Sequence, residues 1–267
     1  MATVRLPQYL KISMISIKTS QEIGIMRDGG RMLSAIMKEL VAEVKPGVST
    51  AELDKMARDK IVKAGAKPAF LNYQGFPAVM CTSVNNQVVH AIPSTKQVLH
   101  VGDIVTLDLG LIHKGFYLDM ARTVPVGEIS DEAARLVRIT RKALRLGIKK
   151  VRPGITVGDI GNTIERFLSS QQYGIVRELC GHGIGKDLHE EPQIPNYGKR
   201  HTGAELKEGM VICIEPMVTM GGDAVKRAKD GQTFETKDGS LAAHFEDTVL
   251  VTATGAEVLT DTKQVNE

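Results

Sequence analysis

The chain of 267 residues has only three cysteines, Cys81, Cys180 and Cys213, and no tryptophan. The cysteines lie far apart in apolar segments, which excludes a disulfide framework and a CxxC metal motif and favours a reducing compartment. No apolar run reaches the roughly 18 residues of a membrane-spanning helix, so we expect no membrane contact. Residues 1–16 lack the apolar region and cleavage site of a signal peptide. We therefore expect a cytoplasmic protein with a short N-terminal arm.

The net charge of +3 is too small to indicate stable nucleic-acid binding. Hydrophobic residues make up 42% of the chain and charged residues 24%, as in ordinary globular proteins. This length and composition allow one large domain. We expect a single domain over residues 17–267 after an arm over residues 1–16.

A long internal repeat relates the two parts of the sequence. Residues 44–53 and 151–160, which are 107 positions apart, share a Pro-Gly pair followed by Ser or Thr and then an acid. The period is far too long for a solenoid, so it indicates two half-domains facing each other. We expect pseudo-symmetric halves at about residues 17–125 and 126–260. Two unrelated units with common turn chemistry are the alternative interpretation.

The repeat also pairs candidate functional residues. The same offset aligns Asp108 with Glu215, and both acids end an apolar, strand-like run. A shorter offset aligns His90 with His189, each of which lies three residues before a proline. Each half is therefore predicted to deliver an acid, and a histidine as well, to a shared centre.

Hydrophobic periodicity predicts long helices and short strands. Helices are expected over residues 20–45, 49–64, 131–150 and 157–170, and strands over residues 79–89 (a pair), 104–110, 116–123, 211–214 and 247–251. Long helices separate from short, hairpin-connected strands indicate an α+β fold, with helices packed on one face of a curved, mostly antiparallel sheet.

The most specific local signal is a pair of acids in one predicted hairpin. With the turn centred on residues 113–115, Asp108 and Asp119 would lie directly opposite each other. Two carboxylates held that close, each flanked by apolar residues, repel unless a cation neutralises them. On this hairpin alone, two acids pointing into solvent are an equal alternative.

Three further residues favour a metal centre: His182 lies among glycines, Glu215 ends an apolar run, and Glu246 begins another. Together with the hairpin pair, the predicted ligands are Asp108, Asp119, His182, Glu215 and Glu246. Four carboxylates and one imidazole exceed the needs of one tetrahedral zinc and suit two divalent ions. Co, Mn, Fe(II), Zn and Ni all stay open as cofactors.

With these residues, the chain closely resembles a type I methionine aminopeptidase of the pita-bread metallopeptidase family. The motifs that carry the resemblance, in order, are His90-Ala91-Ile92-Pro93, Asp108 with Asp119, Cys180-Gly181-His182-Gly183-Ile184-Gly185, His189-Glu190-Glu191-Pro192, Ile214-Glu215-Pro216-Met217 and Phe245-Glu246-Asp247-Thr248. The short interval between Glu215 and Glu246 leaves no room for the insertion of type II enzymes.

The resemblance implies a monomer in which residues 17–267 form the catalytic domain, with a pita-bread fold. Its activity would be removal of the initiator methionine from peptides and nascent chains with a small second residue. A hydroxide bridging the two metal ions would attack the carbonyl. Asp119 and Glu246 would bridge the ions, Asp108 would complete one shell, and His182 with Glu215 the other. As a second role, Glu215 would pass a proton to the departing amine.

For the remaining catalytic residues, the resemblance implies contacts with the substrate. His189 would hydrogen-bond the scissile carbonyl oxygen, and His90 would contact the amide nitrogen on the leaving side. The wall of the methionine pocket would consist of Tyr73, Phe76, Cys81, Leu188 and Phe70. Some bacterial relatives carry histidine near Gln74 and tryptophan near Gln232, so this chain departs from them at the pocket rim.

Two other functions compete. An aminopeptidase P or prolidase would use the same five ligands on X-Pro bonds, although such proteins usually carry a sizeable extra N-terminal domain. A non-catalytic relative, for example one associated with ribosomes, would typically have lost metal ligands, which are all present here. A transient ribosome contact stays open for the enzyme too.

Overall fold

The computed structural model describes residues 15–261, so most of the predicted N-terminal arm lies outside the described residues. The helices are α1 (Ser20–Ala42), α2 (Thr50–Lys63), α3 (Asp131–Lys150) and α4 (Val157–Ser170), with a short 3₁₀ turn at Tyr73–Gly75. The strands are β1 (Lys67–Pro68), β2 (Met80–Val84), β3 (Gln87–Val89), β4 (Ile104–His113), β5 (Phe116–Pro125), β6 (Gly174–Ile175), β7 (Gly181–Gly183), β8 (Glu190–Ile194), β9 (Val211–Ile214), β10 (Met217–Thr219), β11 (Val225–Arg227), β12 (Phe234–Thr236), β13 (Ala242–His244), β14 (Glu246–Val251) and β15 (Ala256–Val258). The predicted α+β class is confirmed. Within residues 15–261, no helix has the length and apolar character needed to cross a membrane.

The sequence repeat appears as repeated local structure. At the start of α2, the backbone N–H of Ser49 donates to Glu52, and at the start of α4 that of Thr156 donates to Asp159. Ser49 also forms an isolated bridge to Val98, and Thr156 forms one to Glu205. All these positions are related by the offset of 107 residues, so the two halves share their helix starts and the loops that hold them.

One nine-stranded sheet runs through both halves. Its order is β1-β4-β5-β14-β9-β7-β8, with β2 also paired to β4 and β15 to β14. The pairings are antiparallel, and β5 meets β14 through the pairs Ala121–Glu246 and Met120–Asp247. The hairpin that carries the first two acids is therefore joined directly to the strand that carries Glu246.

Two hydrophobic clusters lie under the helices, one formed mainly by the first half and one mainly by the second. In the first, α1 and α2 cover Leu107 and Leu109 of β4 and Met120 of β5, and in the second α3 and α4 cover Ile212 and Ile214 of β9. Since side chains alternate along a strand, burying these residues beneath the helices turns Asp108 and Asp119 to the opposite face of the sheet.

The register of the β4–β5 hairpin differs from the prediction. Lys114 and Gly115 both adopt left-handed backbone conformations, with φ of 47° and 84°, and form a two-residue turn. As a result, Asp108 pairs with Ala121 and Asp119 pairs with Gly110. The expected direct opposition of the two acids is wrong, but a diagonal offset of two residues keeps both on one face.

The two strands predicted over residues 79–89 are present, but they belong to different sheets. β2 pairs with β4 in the large sheet, whereas β3 pairs with β12 in a three-stranded sheet. Between them, Asn85 has a φ of 54°, and its side chain donates to Asp103 and accepts from the Ile104 N–H. These bonds direct the chain out of the first sheet.

Candidate active site

One cavity is lined by every residue that the sequence predicted for catalysis, metal binding or substrate binding. These residues are Asp108, Asp119, His182, Glu215 and Glu246, the histidines His90 and His189, and the pocket residues Phe70, Tyr73, Phe76, Cys81 and Leu188. They come from β2, β4, β5, β7 and β14 and from the loops beside them. The cavity therefore collects side chains from both halves, as the repeat predicted.

Three buried carboxylates form the acidic side of the cavity. Oxygens of Asp108, Asp119 and Glu246 all lie within 4.8 Å of one another, and one oxygen of each has no hydrogen-bond partner among the described residues. Burial raises the pKa of Asp108 to about 7. Burial and neighbouring carboxylates raise the pKa of Asp119 and of Glu246 well above its ordinary value. Such a cluster needs either protons or a cation to offset its charge.

His182 and Glu215 form the other side. The Nε2 atom of His182 lies 3.6 Å from the Oε1 atom of Glu215, and its Nδ1 lies 2.8 Å from the carbonyl oxygen of Gly183. Burial lowers the pKa of His182 to about 3, so the ring is neutral and Nδ1 donates to that carbonyl. The lone pair of Nε2 is thereby directed into the cavity, as in many metal-binding histidines.

The glycines around His182 are required by close backbone contacts. A Cβ atom on Gly181 would lie 2.2 Å from the carbonyl oxygen of Cys213, and one on Gly183 would lie 2.2 Å from that of Glu191. Only glycine allows β7 to fit between β9 and β8 at these distances. The glycine-rich sequence therefore places the imidazole in the cavity.

These residues fit a divalent metal centre. The chain supplies buried carboxylate oxygens without protein partners and a neutral imidazole with a free nitrogen, which are the donors that divalent transition metals bind. Glu246 belongs to all three groups of close potential ligands in residues 15–261. It is therefore the residue best placed to contact more than one ion.

Two further potential ligands were missed by the sequence analysis. The Nε2 atom of His244 lies 3.6 Å from Glu215 and 3.9 Å from Glu246, and both of its ring nitrogens lack a hydrogen bond to any described residue. The only local signal for His244 is that it lies two residues before Glu246. Cys213 lies close to His182 and Glu246, but burial raises its thiol pKa well above the usual value, so the thiol stays protonated.

The two predicted catalytic histidines are both neutral and held in defined positions. His189 Nδ1 lies 2.7 Å from the hydroxyl oxygen of Tyr73, and its ring packs edge-on against His182 with centroids 4.4 Å apart. His90 has a φ of 58°, an unusual backbone conformation of the kind that concentrates at functional sites. Burial lowers the pKa of His90 to about 4 and also lowers that of His189.

The predicted pocket wall is apolar and largely buried. Phe70, Phe76, Cys81 and Leu188 belong to the same hydrophobic cluster, and Tyr73 packs against it. Burial raises the pKa of the Cys81 thiol well above its ordinary value, so Cys81 presents an apolar, uncharged sulfur. The rim residues Gln74 and Gln232 line the same cavity.

Comparison with known proteins agrees with this geometry. The model of metallopeptidase family M24 matches residues 24–253. The methionine aminopeptidase of Clostridium acetobutylicum is 47% identical over 247 residues, which cover 92% of this chain and 99% of that protein. Methionine aminopeptidase 1 of Bacillus subtilis is 45% identical over 247 residues, which again cover 92% of this chain and 99% of that protein.

Solved structures give the same result. The crystal structure of methionine aminopeptidase from Thermotoga maritima has a TM-score of 0.92 and 42% identity, covering 93% of this chain and all of that chain. The prolidase from Pyrococcus furiosus has a TM-score of 0.75 at 25% identity, and this chain spans 65% of its length. These matches confirm the predicted resemblance and fold. The chain belongs to metallopeptidase family M24 and, within it, to the methionine aminopeptidases.

Proposed function

We propose that this protein removes the N-terminal methionine from peptides and nascent chains whose second residue is small. The observation that carries the proposal is one cavity in which a cluster of buried carboxylates lies beside two neutral histidines and an apolar wall. Each of these carboxylates has an oxygen without a hydrogen-bond partner among the described residues. A metal-dependent methionine aminopeptidase needs polar residues that hold the metal and the scissile bond, and it needs an apolar wall that recognises the methionine side chain.

We assign the metal ligands as follows. Asp119 and Glu246 would hold both of two divalent ions, Asp108 would complete the ligands of one ion, and His182 with Glu215 those of the other. Such ions supply Lewis acidity and a water of lowered pKa when bound. The mutual proximity of the ligands supports this assignment, and the metal can be Co, Mn, Fe(II), Zn or Ni, since oxygen-rich ligation suits several of them.

The residues of the chain orient the substrate and move its protons. Phe70, Tyr73, Phe76, Cys81 and Leu188 enclose the methionine side chain. The neutral His189 donates an N–H to the carbonyl oxygen as negative charge develops on it, which stabilises the transition state. His90 contacts the amide nitrogen on the leaving side. Glu215 takes up a proton and passes it to the departing amine.

We propose a monomeric, cytoplasmic enzyme whose catalytic domain comprises residues 17–267. The cavity is assembled from one chain, and all three cysteines are free, as in a reducing compartment. A transient contact with the ribosome would deliver nascent chains to the cavity. Co-sedimentation with ribosomes, measured with and without a nascent chain, tests this part of the proposal.

The decisive experiment measures free methionine released from the peptide Met-Ala-Ser after chelation and stepwise return of each metal. We expect release to require metal and to be absent in Asp108→Ala, which removes a ligand while leaving the fold intact. An Ala-Pro-Ser peptide serves as the comparison substrate. Cleavage of Ala-Pro-Ser without cleavage of Met-Ala-Ser would overturn the proposal in favour of a prolidase-like activity.

A further inference from the structure

A buried ion pair joins the segment before α1 to the loop that carries His189. Lys18 is 6% exposed, and its Nζ donates to the Oε2 atom of Glu190 at 2.7 Å. Glu190 is the first residue of β8, and residues 184–189 form the loop between β7 and β8. Lys18 precedes Glu190 by 172 positions, so the pair connects distant parts of the chain.

The carboxylate of Glu190 also closes that loop from within. Its Oε1 atom accepts the backbone N–H of Lys186 at 2.7 Å and that of Asp187 at 3.2 Å. One oxygen therefore organises the loop while the other binds the lysine. Leu188 and His189 lie between Asp187 and Glu190, so their positions depend on how Glu190 is held.

Gly185 shows that the structure is built to bring the lysine to this place. A Cβ atom on Gly185 would lie 2.5 Å from Lys18 Cε, 2.8 Å from Lys18 Nζ and 2.7 Å from Glu190 Oε1. Any larger residue at position 185 would separate the two charged groups. The glycine that ends the His182 motif thus has a use unrelated to metal binding, which is close approach of the lysine.

The backbone of Lys18 is fixed at a second point near the site. Its N–H donates at 2.8 Å to the carbonyl oxygen of Gly209, which lies shortly before β9 and Glu215. A Cβ atom on Gly209 would lie 2.9 Å from Ile17 Cγ2. Lys18 is therefore held between the His189 loop and the approach to β9, whereas Ile17 beside it stays about half exposed.

Stability alone does not account for such a pair. Removing a lysine and a glutamate from water costs about as much as their attraction returns, and an apolar pair of similar volume often stabilises a protein as well or better. The pair is directional, however, because one carboxylate oxygen accepts from Lys18 and the other accepts from the loop N–H groups. Its distinctive contribution is the placement of the loop.

We propose that Lys18 is a positioning residue, which acts through Glu190 to hold His189 and Leu188 against the cavity. The inference rests on the proposed function for its catalytic consequence. It also makes residues 17 and 18, which precede the first helix, a part of the catalytic unit.

The test compares Lys18→Met, which keeps the length of the side chain without its charge, with the wild-type enzyme. We expect kcat for Met-Ala-Ser to fall by about tenfold to a hundredfold, since small displacements of catalytic groups have effects of this size. KM should change by less than about threefold, because the metal site and most of the pocket wall are untouched. Hydrogen exchange at the amides of Lys186 and Asp187 should accelerate selectively.

Two further variants separate positioning from general destabilisation. In Lys18→Met/Glu190→Gln no charge is left unpaired, so the free energy of unfolding should recover. The loop still lacks its anchor at residue 18, so kcat should stay as low as in Lys18→Met. Arg27→Met breaks the bidentate Arg27–Glu257 pair between α1 and β15, with distances of 2.6 and 2.7 Å. It should leave kcat and loop exchange unchanged.

The inference is overturned if Lys18→Met keeps kcat within about twofold of wild type, which is close to the spread of neutral variants. It is equally overturned if kcat falls without faster exchange at Lys186 and Asp187. Should the wild type release no methionine at all, the proposed function fails instead. The exchange comparison would still decide whether Lys18 holds the loop.

Discussion

Asp108 illustrates the conflict between charge and burial at the scale of single residues. Its carboxyl is 6% exposed, close to Asp119 and Glu246, and burial raises its pKa to about 7. In the metal-free protein, ionising this group therefore opposes folding. An acid with a raised folded-state pKa binds protons more tightly in the native state, so stability falls as pH rises between its unfolded and folded pKa values.

We predict that Asp108→Asn stabilises the chelated protein increasingly as pH rises. A pKa raised from 3.8 to about 7 corresponds to on the order of 4 kcal/mol in favour of the variant, developing between about pH 4 and about pH 8. Denaturant unfolding of both proteins at several pH values measures this difference. Subtracting the free energy of unfolding of one protein from that of the other cancels the pH dependence that the buried histidines contribute to both. A gap that is constant or shrinks with pH would show that burial does not act on Asp108 as argued.

Tyr73 contributes more than a ring to the pocket wall. Its hydroxyl lies 2.7 Å from His189 Nδ1, so donation by the hydroxyl leaves the ring proton on Nε2, where it can reach a substrate. We predict that Tyr73→Phe lowers kcat about fivefold, the equivalent of one hydrogen bond of about 1 kcal/mol, with little change in KM. Steady-state kinetics measure the change in kcat, and the ¹⁵N shifts of His189 report which ring nitrogen carries the proton.

Tyr173→Phe is the matched control, since that hydroxyl contacts Arg135 on the surface. Equal kcat values for Tyr73→Phe and the wild type, with an unchanged tautomer of His189, would mean that the hydroxyl does not set the orientation of the ring.

Residue chemistry was more predictable than residue geometry. The five proposed metal ligands stood out because acids in apolar segments and a histidine among glycines are unusual. The two proposed catalytic histidines stood out because each lies three residues before a proline in the repeat. The direct opposition of Asp108 and Asp119 was wrong because the turn has two residues, and this depends on the backbone of Lys114. His244 was missed because β13 and β14 are separate strands, so its approach to Glu215 is a tertiary contact.

At the scale of elements, helix starts were predictable and strand partners were not. The bounds of α3 and α4 agree with the expected residues 131–150 and 157–170, since capping residues and Pro-Gly stops are local signals. Pairing of β2 with β4 and of β3 with β12 depends on contacts between distant segments. Hydrophobic alternation does not encode those partners.

Two glycines in α1 give an element-scale prediction with its own control. A Cβ atom on Gly30 would lie 2.1 Å from the carbonyl oxygen of Leu259, whereas one on Gly24 would meet nothing within 4 Å. We predict that Gly30→Ala destabilises the protein by about 2 kcal/mol or more through overpacking. Gly24→Ala should stabilise it by about 0.5–1 kcal/mol through helix propensity.

Thermal or denaturant unfolding measures the loss of stability expected for Gly30→Ala and the gain expected for Gly24→Ala. If Gly30→Ala were as stable as Gly24→Ala, α1 would not pack against Leu259, the residue after β15, at the observed distance.

At the scale of the whole molecule, each half contributes most of one hydrophobic cluster, and the halves share one large sheet. β3 of the first half also pairs with β12 of the second, but within the large sheet the junction is narrow, because β5 and β14 are joined by only two residue pairs. Arg122 reinforces it from β5 by donating to Asp247 and to the carbonyl oxygens of Glu246 and Thr260. Proposed metal ligands also come from both halves, so bound ions would join them a second time.

We predict that Arg122→Met weakens this junction and uncouples the halves in the chelated protein. Removing the arginine leaves the buried Asp247 carboxylate unpaired and should cost about 3–5 kcal/mol. Calorimetry should then show a calorimetric enthalpy larger than the van't Hoff enthalpy, whereas we expect the two enthalpies to agree for the wild type. Saturating Mn²⁺ should restore one transition, because ions that bind ligands from both halves stabilise only the assembled molecule.

Arg27→Met is the control for this experiment, since its ion pair is partly exposed and joins elements away from the junction. It should cost less than about 1 kcal/mol and leave the unfolding cooperative. A single transition in Arg122→Met at nearly wild-type stability would mean that the shared sheet and the packing of the two clusters suffice to couple the halves. The metal would then act locally on its ligands, and the duplicated architecture would serve to gather those ligands without depending on them for its unity.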